Sequence, residues 1–129
     1  MPPNKDNIRK WVAALRSGEH EQGTGALNQD GKKCCLGVAC IVAAQELPDL
    51  VVGNEDVSYE DATSRATYDG EGGYLPRSVA NWLGLDGINP IILREGAENC
   101  GVSATAMNDA RKHTFTEIAD AIEKTYLTG

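Results

Sequence analysis

Apolar residues recur at the spacing of a helical face in two stretches of the chain and fill nearly every position in a third. Ile8, Trp11, Val12 and Leu15 fall at i, i+3, i+4 and i+7. This predicts an amphipathic helix over residues 5–17, closed by Gly18 in a left-handed conformation, with Arg9, Lys10 and Arg16 on its solvated side. Phe115, Ile118, Ala119, Ile122 and Tyr126 make a second stripe, and Thr114 with Glu117 spells a capping box ahead of it. A helix from 115 to about 126 follows. Between the two, residues 36–47 (LGVACIVAAQEL) are apolar on almost every side until Gln45 and Glu46, and Pro48 cannot continue a helix. That pattern predicts a buried central helix.

Turn chemistry places the shorter elements. Asp30-Gly31 between two short runs predicts a hairpin with strands near 24–29 and 32–36, because both central residues of a type I′ turn need positive φ. Pro76 at a first helical position, Val79, Trp82 and Leu83 on one face and Gly84 as a stop predict a third helix. A brief buried strand is expected at 91–93 after a turn at Asp86-Gly87, and Ser103 caps a short helix through Ala110. Residues 94–102 are too polar and Gly-broken to assign. Residues 49–74 read as an acidic loop insert with a hint of strand at 64–68. The expected fold class is α+β, about five helices around a small antiparallel β-hairpin, in a single compact domain over 1–129.

Charge sharpens the picture of that insert. The net charge is −7, and residues 48–75 carry Asp49, Glu55, Asp56, Glu60, Asp61, Asp69 and Glu71 against Arg65 alone. Most of the excess therefore belongs to one segment, either a solvated loop or a face that meets a partner. Phosphate contacts need clustered Lys and Arg, so broad nucleic-acid binding is not expected. A helix-turn-helix is also unsuited: with 103–110 as first helix and 115–126 as reader, Glu117, Asp120 and Glu123 would face the phosphates. No apolar run approaches a bilayer span, and the N-terminus MPPNKDNIRK lacks the apolar core of a secretory signal. A cytoplasmic protein without membrane contact is expected.

Three of the four cysteines crowd into KKCCLGVAC, residues 32–40. Cys34, Cys35, Cys40 and Cys100 with His20 and His113 could supply metal ligands, but no C-x2-C pair exists. No metal or cofactor is expected. Cys35 is the reactive-thiol candidate: it sits just before a predicted helix, whose N-terminal dipole lowers a thiol pKa. His113 could serve as its base, oriented by Asn108 or Asp109. The plainer reading of a cysteine in an apolar run is a small buried hydrophobe.

Taken together, WVAALRSGEHEQGTGAL, CCLGVAC, LPRSVANWLGL and MNDARKHTFTEIADAIE resemble a family of small proteins common in bacteriophage and prophage genomes. The likeness covers roughly 70 residues and omits the acidic stretch and residues 86–102. This chain departs from the pattern at Met107, where Leu is usual, and in its long acidic insert. The resemblance implies context rather than chemistry: an accessory phage protein acting in the host bacterial cytoplasm.

Within the motifs that carry it, Arg16, Gln22, Asn108 and Asp109 stand out as polar residues outside the obvious core. They serve either as caps and loop hydrogen bonds or as a ligand-binding site, with Arg reading a phosphate or carboxylate and Asn and Asp fixing a base or ribose. The absence of a catalytic signature favours a non-enzymatic protein that binds a host protein or a small signalling molecule. The alternative is a ligand- or nucleotide-sequestering protein or small enzyme built on those four residues. A homodimer fits a protein of this size, although no seam in the sequence marks one.

Overall fold

The structure, a computed structural model, describes residues 3–24, 26–29, 31–56, 64–85, 87–95, 100–110 and 113–127. Its elements run α1 (Lys5–Arg16), β1 (Glu21–Gln22), β2 (Lys32–Lys33), α2 (Cys35–Ala44), β3 (Val52–Asp56), β4 (Ser64–Tyr68), α3 (Arg77–Leu83), β5 (Ile91–Glu95) and β6 (Cys100–Ser103). Two helices complete the chain: α4, a π-helical turn at Ala106–Ala110, and α5 (Phe115–Ile122), which widens into a further π-helical turn at Glu123–Leu127. Among the described residues the fold is α+β, with five helices and small antiparallel strand pairs around one core. None of the helices among the described residues is long and apolar enough to cross a membrane.

The periodic stretches become helices where their stripes predict them. Ile8, Trp11, Val12 and Leu15 are the buried residues of α1, and Gly18 takes φ +77° after it. Its N-cap Asn4 accepts from the Asn7 N–H, while Asn4 N–H and the Asn7 amide donate to the Leu83 and Trp82 carbonyls. The start of α1 thus satisfies carbonyls that the end of α3 leaves open. In α5 both hydrogen bonds of the Thr114/Glu117 capping box are present, and Phe115, Ile118, Ala119, Ala121 and Ile122 are buried. Pro76 stands one position earlier than expected, as the N-cap of α3, and Gly84 closes that helix at φ +72°.

Helix α2 is the centre of the molecule. Cys35, Leu36, Gly37, Val38, Ala39, Cys40 and Ala43 are all buried, as expected of a helix without a polar face. Its Gly37 has a steric reason: a Cβ built there would lie 1.7 Å from the Leu27 carbonyl oxygen. The segment 26–29 therefore presses its backbone directly onto the helix. It does not form the expected hairpin strand. Cys34 N–H donates to Ala26 O, Leu27 N–H to Gly72 O, and Asn28 O accepts from Ala66 N–H, so its backbone groups are divided among three partners. Among the described residues of the expected hairpin, Gln29 and Lys32 bridge each other, around Gly31 at φ +80°. β2 pairs in parallel with β1, and α2 begins at Cys35, where a strand was expected to continue.

The longer antiparallel pairs lie further along the chain, each with one strand that the sequence signals and one that it does not. β3 and β4 pair inside the acidic segment from Val52↔Tyr68 to Asp56↔Ser64, which replaces the expected loop with a ribbon. The strand expected at 91–93 is part of β5, which pairs with β6 from Ile91↔Ser103 to Glu95↔Cys100 with a bulge between Ile91 and Leu93. Tyr126 and Thr125 hydroxyls donate to the Ile91 and Ile92 carbonyls, which ties the end of the chain to that pair. Asp30, Asp86, Glu60, Asp61 and the side chain of Cys100, on which other expectations fall, lie outside the described residues.

Two predictions follow from this packing. Gly37→Ala should cost about 3 kcal/mol or more, or prevent folding, because the new methyl meets backbone rather than a side chain that can yield. Gly73→Ala, with open space at its Cβ, should stay within about 0.5 kcal/mol in the same urea titration. The second concerns Asp69, whose carboxyl is held below its usual range by the Ser78 hydroxyl and the Val51 N–H. That stabilisation is present above the ordinary Asp value of about 3.9 and is lost as pH falls through the depressed one. Asp69→Asn should flatten the acid-side loss of stability in denaturant titrations between about pH 5 and 2.

Candidate functional site

Asn108 is 1% exposed, a polar side chain set in the core, and every hydrogen-bonding position of its amide is filled. Its Oδ1 accepts from Cys35 N–H at 3.2 Å and from Gln22 Nε2 at 3.0 Å; its Nδ2 donates to Gly23 O at 2.9 Å and Asp109 Oδ1 at 2.7 Å. The orientation is unambiguous on chemical grounds, since the Cys35 amide only donates and the Gly23 carbonyl only accepts. Gln22 Nε2 also donates to His113 O at 2.7 Å. One buried network thus joins β1, the start of α2, α4 and the residue that leads into α5.

Local structure explains each position. β1 is held against β2 by the Gln22↔Lys33 pairing and by Gly23 N–H donating to Lys33 O. Gly23 allows this approach, because a Cβ there would lie 2.7 Å from Lys32 Cβ. Ser103 Oγ accepts from Ala106 N–H at the head of the 103–110 segment, as its capping role predicts, and the π-helical turn that follows carries Asn108. Cys34 precedes α2 as N-cap without a side-chain hydrogen bond to it, so the Cys35 N–H receives its acceptor from Asn108.

Three of the four polar candidates therefore converge: Gln22, Asn108 and Asp109. Arg16 does not join them. Its guanidinium pairs with Asp120 and, at 2.7 Å, with Glu123, and these carboxylates hold it further in its charged form. It lines a separate hollow of about 450 Å³ with Arg9, Val12, Ala13, Glu123 and Leu127. Gln22 instead borders an open hollow of about 490 Å³ shared with Gly23, Thr24, Gln29 and Lys32.

The thiol chemistry does not assemble. Cys35 is fully buried, its Sγ points to Ala104 O at 3.6 Å, and burial pushes its thiol well above the ordinary range. Cys34 and Asp109 nearby add to that shift, because a thiolate there would meet further negative charge. The effect of the helix N-terminus is outweighed by desolvation. His113 turns elsewhere, with Nδ1 3.7 Å from Glu117 Oε1, and Asn108 meets the Cys35 backbone rather than its sulfur. Cys34 is buried as well, so both members of the pair face inward; burial raises its thiol and that of Cys40 too. Among the described residues no three His, Cys, Asp or Glu side chains gather to hold a metal ion.

Residue-type reasoning missed Trp11, whose indole Nε1 donates to Cys35 O at 2.9 Å and fixes the same residue from the other side. It was recognised only as part of an apolar stripe, though a buried indole needs an acceptor.

Asn108→Ala would leave the Cys35 N–H and the Gly23 carbonyl without their partner and Gln22 with one bond fewer, and should cost about 3 kcal/mol or more in a urea titration. Cys34, Cys35 and Cys40 should resist iodoacetamide in the native protein and react once denaturant is added. Mass spectrometry of the alkylated peptides reads that result directly. Rapid labelling of native Cys35 would contradict the burial described above.

No curated protein and no solved structure matches the chain. A family model described as a domain of unknown function, DUF8296, matches residues 4–126, and the chain belongs to that family.

Proposed function

We propose that this protein is a non-enzymatic bacteriophage accessory protein that acts in the host bacterial cytoplasm by binding a host protein or signalling molecule, in an anti-defence or host-takeover role. The phage context rests on the resemblance of its ordered motifs. The non-enzymatic part rests on one observation: Asn108, the most buried of the polar candidates, has all four hydrogen-bonding positions occupied by the chain itself. An amide that binds substrate directly needs a position left open, and this one has none. With the Cys35 thiol enclosed as well, recognition falls to the surface.

The open hollow beside Gln22 favours a second reading, a ligand-sequestering protein in which Gln22 and Lys32 meet a small polar molecule. The two separate in a pull-down from host lysate with quantitative mass spectrometry, run beside a thermal-shift panel of nucleotides. A host protein recovered at about one-to-one stoichiometry, with no nucleotide shift, supports the first. A nucleotide shift without a protein partner moves the assignment to the second. Recovery of the protein in purified virions would replace both with a structural role.

A further inference from the structure

We propose that the outer edge of β3 is a docking strand, which takes a basic, extended segment of a partner protein as an added antiparallel strand. This deepens the binding role above and rests on it. The register identifies which backbone groups are open. Ala66 N–H donates to Asn28 O and Tyr68 N–H to Glu71 O, so both point away from β3. Their opposite numbers, Asn54 and Val52, are therefore the non-hydrogen-bonded pairs of the ladder, and their own N–H and C=O groups point outward. No hydrogen bond to either amide occurs among the described residues. β4 is the covered strand, with Thr67 and Tyr68 buried and Asn28 on its far side; β3 is the margin.

The edge is protected by charge of one sign only. Natural edges carry charges, Pro or a bulge to prevent pairing; VGNED has no Lys, Pro or bulge, its register is continuous, and the carboxylates Glu55 and Asp56 guard it only against a strand of like charge. It begins beside apolar surface. Val51, Val52, Tyr74 and Ile88 are the exposed large hydrophobics among the described residues, the first two at 66% and 56%. Hydrogen bonds hold them in one region: Val51 pairs with Asp69, Asp69 with Ser78 at the start of α3, and Leu75 N–H with Ile88 O.

Charge selects the occupant. Asp49, Asp69 and Glu71 are exposed, and Glu55 and Asp56 belong to β3 itself, against Arg65 alone at the position opposite Glu55 on β4. A second copy would bring the same carboxylates to the seam and be repelled. A strand carrying Lys or Arg between apolar residues would gain the backbone bonds, the apolar cover and the charge pairing together.

The probe is a blocked peptide of about ten residues alternating Val and Lys, with a Val/Glu counterpart. Amide exchange of the protein by NMR should slow about tenfold or more at Val52 and Asn54 with the Lys peptide, and not with the Glu peptide. Its affinity should fall about threefold or more between low and physiological salt. Asn54→Pro removes an outward amide without touching the bonds to β4, and Val52→Lys adds an edge charge; each should weaken binding about fivefold or more. Equal binding of the Glu peptide, unchanged exchange at both amides, or wild-type affinity in both variants overturns the proposal. So does protection at these amides that tracks self-association in sedimentation, which would make the occupant a second copy. If Asn54→Pro and Val52→Lys still capture the host protein as wild type does, the edge is overturned and the binding role stands. If no host protein is captured while the Lys peptide protects the edge, the host-binding role fails and the edge stands.

Discussion

The first amide of α2 has no acceptor in its own helix, and Asn108 Oδ1 supplies one from 73 positions along the chain. Much of the molecule is arranged around that bond. For Asn108 to sit in the core its other three positions must also be filled, which brings Gln22, the Gly23 carbonyl and Asp109 to the same point. The Cys35 carbonyl at the same residue receives the Trp11 indole. A helix with no polar face, which could otherwise rotate or slide in an apolar interior, is thereby given one position and one rotation.

The Cys-Cys-Leu-Gly motif takes its meaning from this arrangement. Cys34 starts the helix against segment 26–29 through its bond to Ala26 O, Cys35 turns its small side chain to Ala104 O, and Gly37 removes the side chain that would collide with Leu27. The density of cysteine is thus a packing solution. Burial that makes these thiols good core residues also withholds their ionisation, so one environment accounts for both the fit and the inertness.

Legibility in the sequence followed the range of the interactions. α1 and α5 were readable because their apolar stripes and caps are local: Ile8 to Leu15, and Thr114 with Glu117. The hairpin expected around Asp30-Gly31 was misplaced because local turn chemistry was obeyed at Gly31 while the flanking backbone found distant partners in Gly72 and Ala66. The hint of strand at 64–68 became β4, whereas β3 was hidden by composition, since an acidic stretch with glycines reads as loop until a partner strand is known. Among the polar candidates, motif order alone picked out Gln22, Asn108 and Asp109, which do meet, but could not separate them from Arg16, whose carboxylate partners Asp120 and Glu123 lie 104 and 107 residues away.

The span of the Asn108 bond has a consequence for how the chain reaches its native state. The central helix is made early in synthesis, yet its starting amide, its Gln22 brace and the α1 face that α5 covers all wait for residues beyond 100. Until the C-terminal quarter has left the ribosome, the most apolar segment of the molecule has no finished enclosure. The core therefore cannot close before residues beyond 100 are available, and the packing of α5 against α1 is set up as a late step of folding.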